Sequence, residues 1–284
     1  MKPLEILHAR PEMFFRLAGI RVSDFDALVI KTHPLWLKRE YKRLNYKNRK
    51  RAIGGGMNYR LDFSSQLLLC LIYYRTYTTH VFLGMVFGVS SPTVCRAIRA
   101  MTKLLAGHFR MPERKIKLDD EEKDELLFLI VDGTERPIYR PSKSGERKKS
   151  YSGKKKRHTA KHQIVINNKK EILIVGPAQE GRKHDKKIYD ESELKKPPDL
   201  MTLGDSAYQG SDCEIPLKKP KNKELPKDDK KYNQWHAKLR VGVEHAIGRM
   251  KKFRIFSDIY RHNGMQNLIA KNIGGLANIN LKIA

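Results

Sequence analysis

The sequence predicts an α/β fold, a mixed sheet flanked by helices, behind an N-terminal all-α region. Residues 61–107 are dense in helix formers. Near Glu125 the pattern changes to short apolar runs bounded by turn residues, which read as buried strands. Beyond that point the order is three strands, helix, strand, strand, long helix.

Residues 1–60 read as short helices. Ser23 with Asp26 resembles a weak capping start, and Phe25, Leu28, Val29 and Ile30 supply an apolar face. The basic run Lys47 to Arg51, followed by Gly54-Gly55-Gly56, reads as a linker. Ser64 or Ser65 can cap a helix to about Arg75. A second helix runs from Thr79 to Phe87, Gly88-Val89-Ser90 is a turn, and a third runs from Ser91 to about Leu105. Pro92 sits near the start of that third helix, where a missing N–H costs least.

Leu126 to Val131 is the first expected strand, ending at Asp132. Ile164-Val165-Ile166 and Ile172-Leu173-Ile174-Val175 are two more, joined by the hairpin turn Asn167 to Lys170. Asp185 to Leu194 is a helix. Leu200 to Leu203 is a fourth strand, ending at Gly204-Asp205, and Ile215 to Leu217 a candidate fifth. Lys218 to Lys231 is a charged loop with two prolines. A long helix is expected from Tyr232 to about Phe253, and a last one around Met265 to Leu281.

Composition bounds the partners. The 284 residues carry a formal net charge of +27, with 40% hydrophobic residues, enough for real cores. A pI of about 10.0 points to polyanions. Nucleic acid is favoured over membrane, because the longest apolar run, Leu67 to Tyr74, falls well short of the roughly 18 residues a span needs. The start of the chain lacks the apolar core of a signal peptide. Cys70, Cys95 and Cys213 form no C-x-x-C pair, so disulfides and a zinc ribbon are not expected, which suits a reducing cytoplasm.

Asp132 and Asp205 each follow directly on an apolar strand. In an open α/β sheet, sites form outside the carboxyl ends of strands, so the two carboxylates meet if strands one and four are neighbours. The bland alternative is Asp as a turn former. On the long helix, Trp235, Leu239, Val243, Ala246 and Met250 form one core stripe. Glu244 lies roughly 100° from Val243, at the edge of that face, in line with Arg240 and Lys251. Alone, Arg240 and Glu244 would be a surface ion pair. Three carboxylates at one place are instead what two Mg²⁺ ions need for phosphodiester chemistry. No zinc site is read from the histidines.

Between Glu135 and Lys161 eleven Lys or Arg face two Glu, a net of +9 in 27 residues. Phosphate contact is the functional reading and a solvated loop the plain one. Ser91, Thr93, Arg96 and Arg99 would lie on the outward face of the helix after the turn, where Arg can contact guanine or phosphate.

At these residues the chain resembles the D-D-E transposases of the insertion sequence five type and related Harbinger-type nucleases. Phe87-Gly88-Val89-Ser90-Ser91-Pro92-Thr93-Val94 resembles the family's helix-turn-helix. Val131 to Glu135 is similar to its first catalytic strand, and Tyr151 to Thr159, with Lys154, Lys155, Lys156 and Arg157, to its basic second strand. Gly204-Asp205-Ser206-Ala207-Tyr208 resembles the second-Asp motif. Arg240-x-x-x-Glu244 with Lys251 resembles the Tyr-Arg-Glu-Lys signature, with Ala237 where the Tyr would stand.

The resemblance implies a ribonuclease-H-like catalytic domain over 113–284, a helix-turn-helix domain over 61–112, and a helical region with a basic linker over 1–60. It also implies cleavage at the ends of a mobile element and joining of the freed 3′-hydroxyls to target DNA. Asp132, Asp205 and Glu244 would hold two Mg²⁺ ions, for which Mn²⁺ can substitute. Thr93, Arg96, Arg99, Lys154, Lys155, Lys156, Arg157, Arg240 and Lys251 would bind double-stranded DNA. A homodimer or larger assembly on DNA, in the cytoplasm at the nucleoid, is the corresponding expectation. Two rivals remain, a ribonuclease acting on RNA–DNA hybrids and a DNA-binding regulator without catalysis. The helix-turn-helix argues against the first and the complete carboxylate set against the second.

Overall fold

The computed structural model describes residues 3–45, 49, 52–53, 59–116, 125–197, 200–221, 224–261 and 264–283. The proposed linker, Lys47 to Arg51 with Gly54 to Gly56, lies outside the described residues apart from Arg49. The chain divides into two compact units, Met1–Arg110 with Lys252–Ile255, and Met111–Lys251 with Phe256–Ala284. Among the described residues, no single helix is long and apolar enough to cross a membrane.

The first unit holds α1 (Pro3–His8), α2 (Pro11–Ala18), α3 (Val22–Leu44), α4 (Phe63–Thr76), α5 (His80–Phe87) and α6 (Ser91–Phe109). Leu67 to Leu71 and Tyr74 of α4 are fully buried, so this helix is apolar all round and forms the core of the unit. Its cap is Asp62, not Ser64 or Ser65. Asp62 Oδ1 accepts from the Ser65 amide at 2.7 Å, and an ionised acceptor suits the helix N-terminus. Instead of short helices, α3 is one continuous element of 23 residues. Packing against α2, α4 and α6 offsets the bond that its internal Pro34 cannot make. Phe25 and Leu28 are buried as expected, while Ile30 is exposed.

The α5 and α6 axes meet at 99°, within the range of a helix-turn-helix. Thr79 caps α5 through Phe82, and Gly88 takes the left-handed conformation (φ 65°) that ends it. The Val89 amide returns to the Gly84 carbonyl at 2.9 Å, closing the turn.

The second unit is built on β1 (Leu129–Pro137), β2 (Tyr151–Ser152), β3 (Arg157–Asn167), β4 (Ile172–Val175), β5 (Gln179–Glu180) and β6 (Thr202–Leu203). Its helices are α7 (Ser144–Ser150), α8 (Asp185–Ser192), α9 (Lys227–Lys251) and α11 (Gln266–Ile279), with the short α10 (Arg254–Ser257) before the last. The sheet order is β2-β3-β1-β6, with β4 and β5 also paired to β3. β1 runs antiparallel to β3, from Leu129 opposite Asn167 to Pro137 opposite Thr159, and parallel to β6. The mixed α/β architecture expected from the sequence is therefore present, behind a helical N-terminal unit.

Several details differ from the sequence expectation. β1 does not stop at Asp132 but continues to Pro137, because β3 offers it backbone partners over that whole length. The basic stretch 135–161 is the end of β1, then α7, β2 and the start of β3, rather than a loop. Residues Ile215 to Leu217 form no strand. Only Glu214 bridges to Leu203, and the Leu217 backbone groups are taken by the Asn233 side chain of α9. α9 also begins earlier than Tyr232, just after Pro226, with Asp228 and Asp229 in its favourable first turn.

Helices cover both sheet faces. Gly242 lets α9 lie against Ile130 and Ile166, where a Cβ would already be 3.7 and 3.4 Å from their methyl groups. On α11, Asn278 accepts from the Ile172 amide at 2.8 Å and donates to its carbonyl at 2.9 Å, sealing the β4 edge. Leu129, Val131, Val165 and Ile174 pack on the other face with Tyr189 of α8.

The tightest constraint in the first unit is Gly84, where a Cβ would lie 2.6 Å from the Val89 carbonyl oxygen. Gly84→Ala is expected to lower stability by about 1–3 kcal/mol, because the obstructing atom is backbone. Urea denaturation measures this, and an unchanged midpoint would show that the turn yields.

Candidate active site

The parallel pairing of β1 with β6 sets Leu129 beside Thr202 and Ile130 beside Leu203. The same offset, carried two residues on, brings Asp132 level with Asp205. Side chains alternate along β1. Ile130 faces Gly242 of α9, so Asp132 faces α9 as well. On that helix Glu244 lies two positions beyond Gly242, roughly 200° round the axis, and shares the cleft-lining side with Ile247, Gly248 and Lys251. Asp132, Asp205 and Glu244 line one cleft of about 640 Å³, together with Asp185, Lys154, Lys155, Lys161 and Lys251. Glu244 is exposed, and Asp132 and Asp205 are half-buried.

Burial pushes the Asp132 carboxyl up to about 6, and the neighbouring charges of Asp205 and Asp185 add to this. The Gly133 N–H, donating to Asp132 Oδ1 at 2.8 Å, and the Arg240 guanidinium pull the other way. Asp205 Oδ1 accepts from the Ala207 amide at 2.9 Å, capping the single turn Ser206–Tyr208. That turn folds the Tyr208 ring back onto Gly204, where a Cβ would lie 3.0 Å from the ring. The ring is buried, and burial, together with Asp132, Asp185 and Asp205, drives its hydroxyl far above the usual range. Across the cleft, burial and repulsion from Lys155 and Lys154 lower the Lys251 ammonium, against attraction from Asp132 and Glu135.

Among the described residues, no three His, Cys, Asp or Glu side chains are gathered closely enough to hold a metal ion between them. The donor set nevertheless fits hard divalent cations in kind. It is all carboxylate oxygen, each Asp commits one oxygen to a backbone amide, and Asp132 is raised chiefly by burial, with Asp205 and Asp185 adding to it. Arg240 stands close enough to lower Asp132, yet its Nε is buried without a hydrogen-bond partner.

Some expected residues lie elsewhere. Arg240, Lys156 and Arg157 are not among the residues lining the cleft. Lys156 turns the β2–β3 hairpin with φ 52°, and Arg157 opens β3 opposite Ser152. Thr93, Arg96 and Arg99 belong to the first unit, and Thr93 and Arg96 face α3 rather than open solvent alone. Trp235 is not core. It is 43% exposed, and the fully buried residue at that end of α9 is His236, bonded to the Glu214 carbonyl at 3.1 Å.

Asp185 was missed as a site residue because it reads as an ordinary helix start. It faces Gly133, where a Cβ would lie 2.7 Å from its Oδ1, so Gly133 makes room for it beside Asp132. Lys161 donates to Asp185 Oδ1 at 3.1 Å and to the Lys183 carbonyl at 2.8 Å, and lies 3.9 Å from Glu135. The Gly directly after Asp132 was the available signal.

Acidic side chains gathered in one cleft beside a mixed sheet, in a chain that also carries a helix-turn-helix, suit phosphodiester chemistry on DNA. The family model described as DDE superfamily endonuclease matches residues 131–275, and the helix-turn-helix of DDE superfamily endonuclease matches residues 59–110. The chain belongs to the DDE superfamily endonucleases. It is 32% identical to a protein of Microchaete diplosiphon named probable transposase for insertion sequence element IS702, over 95% of each chain. It is 30% identical to a Streptomyces albus G protein that carries the name of a transposase for insertion sequence element IS112, over 73% of this chain and 76% of that one. No solved structure matches the chain.

A carboxyl raised on folding contributes stability at low pH that is lost as pH rises through about 6. Asp132→Asn should therefore melt higher than the wild type at pH 8 without divalent ions, by on the order of 1–3 kcal/mol, with the difference closing near pH 4. Mg²⁺ or Mn²⁺ should raise the melting temperature of the wild type and leave the variant unmoved. An ion-induced rise of equal size in both proteins would exclude Asp132 as a ligand.

Proposed function

We propose that this chain is a DNA transposase that cleaves the ends of a mobile element and joins the freed 3′-hydroxyls to target DNA. Asp132, Asp205 and Glu244 are its catalytic carboxylates and would hold two divalent cations, Mg²⁺ with Mn²⁺ as a substitute. The observation that carries this reading is the β1–β6 register, which brings Asp132 level with Asp205 in a cleft that Glu244 also lines. When bound, such ions supply charge neutralisation at phosphorus and an activated attacking oxygen.

The protein's own groups have separate tasks. Lys154, Lys155 and Lys251 offer positive charge to the phosphates on either side of the scissile bond. Lys161 holds Asp185 and Glu135 in place, and Arg240 steadies Asp132. The packed Tyr208 ring keeps water from beneath the carboxylates. Residues 113–284 are taken as the catalytic domain and 61–112 as the DNA-binding domain. Thr93, Arg96 and Arg99 contact the element's ends, and Lys156, Arg157 and Arg240 contact the DNA backbone. Two or more copies assemble on the DNA at the nucleoid, since an element has two ends to bring together.

Asp205→Asn should abolish nicking of a labelled element end while leaving binding largely intact. Asn keeps the shape but loses the charge that a cation needs, and a chain of net charge +27 keeps its attraction to DNA. Nicking by this variant, or by the wild type in EDTA, would remove the two-metal mechanism. Replacing Arg96 and Arg99 together with Ala should weaken binding to the cognate ends by roughly tenfold or more, and to random DNA by less. Equal losses in a mobility-shift titration would reduce both residues to plain charge.

A further inference from the structure

The first unit contains a cleft of about 470 Å³ that a helix-turn-helix does not need for its own packing. One wall is α6, where Thr93, Arg96, Ala97 and Ala100 follow one helical face. The other is α3 with Trp36 and Arg39, and Tyr59-Arg60 closes one side. The walls combine two chemistries. Trp36 and Tyr59 pack against each other at a 58° tilt with centroids 6.0 Å apart; His33 stacks on Trp36 at 5.8 Å, Phe63 lies at 5.5 Å from it, and the Arg43 guanidinium sits 6.0 Å over the Tyr59 ring. Arg39 is anchored to the Ala100 carbonyl at 2.7 Å.

The single acid, Glu40, is already satisfied by Arg43 and by the Tyr59 hydroxyl, each within 2.8 Å. Arg60 and Arg96 have no acidic partner among the described residues, and the nearest polar group to Arg96 is Thr93 Oγ1 at 3.2 Å. An aromatic surface beside uncompensated guanidinium groups suits a nucleobase with its phosphate. The volume lies within the usual range for a small-ligand pocket. A peptide without acidic or phosphorylated side chains would leave the guanidinium groups unmatched, and stacked duplex DNA cannot present a base face.

We propose that this cleft receives one unstacked nucleotide of the bound DNA, its base against Trp36 and Tyr59 and its phosphate on Arg60 and Arg96. The proposal rests on the DNA-binding reading of α6, whose Thr93 and Arg96 face the same cleft. α3 thereby extends the DNA interface beyond the matched helix-turn-helix, which begins at residue 59.

The test uses the full chain carrying Trp235→Phe, so that Trp36 is the remaining tryptophan. Two duplexes of equal length and charge serve as probes, one fully paired and one with a short mismatched bubble. The bubble duplex should quench Trp36 emission and bind roughly tenfold tighter than the paired one. In fluorescence-anisotropy titrations, Trp36→Leu should erase that preference, so that the two duplexes bind with equal affinity. Tyr59→Leu, at an exposed position, should do the same if Trp36→Leu folds poorly. Equal affinity for the two duplexes, or a preference that survives both substitutions, overturns the proposal alone. Quenching by thymidine monophosphate without any preference between duplexes also overturns it, as the mark of a free-nucleotide site. Binding of neither duplex overturns the DNA-binding reading and the proposal with it.

Discussion

The candidate site depends on the parallel pairing of β6 with β1. It is short, with Thr202 and Leu203 beside Leu129 and Ile130, and it joins segments far apart in the chain. Closing so long a loop is entropically costly, and so short a ladder cannot meet that cost by hydrogen bonds alone. Leu129, Ile130 and Leu203 are almost completely buried, and the Leu129 amide also donates to the Met201 carbonyl at 2.8 Å. Apolar burial therefore sets the register, and the register sets where Asp132 and Asp205 stand. A one-residue slip would turn one of the two carboxylates to the opposite face.

The cleft sets five acidic side chains, Asp132, Glu135, Asp185, Asp205 and Glu244, among six lysines and arginines. Burial and neighbouring carboxylates leave Asp132 poorly suited to being ionised, while burial, with Lys155 and Lys154 close by, lowers the Lys251 ammonium. Both tensions have the same direction of relief. Cations brought among the carboxylates and phosphates brought among the lysines would each restore neutrality. The glycines beside the carboxylates have a steric task. Gly133 admits Asp185 and Gly204 admits the Tyr208 ring, so the D-G and G-D pairs are packing devices as well as chemical motifs.

Helix α9 carries several jobs at once. Gly242 sets its distance from the sheet, Glu244 and Lys251 line the cleft, and Asn233 and His236 take up backbone groups at 214–217. Ile215 to Leu217 are not a strand because Pro216 has no N–H to offer a ladder and the Leu217 backbone groups are taken by the Asn233 side chain. Trp235 was similarly placed in the core by helical spacing. The periodicity of that stripe is right from Val243 to Met250, but nearer the N-terminal end of α9 the buried residue is His236, held by the Glu214 carbonyl.

The sequence by itself determined the mixed α/β class behind a helical N-terminal region, the helix-turn-helix and the β3–β4 hairpin, because these rest on local signals: apolar periodicity and turn residues. It also determined the charge, and so the class of partner. Tertiary structure alone decided that β1 runs on past Asp132, since its polar second half is extended only because β3 pairs with it. The same holds for Asp185, Lys161 and the α3–α6 cleft, whose members are distant in the chain and carry no shared pattern. Contacts of that kind follow from how layers stack, and only the packed chain brings them together.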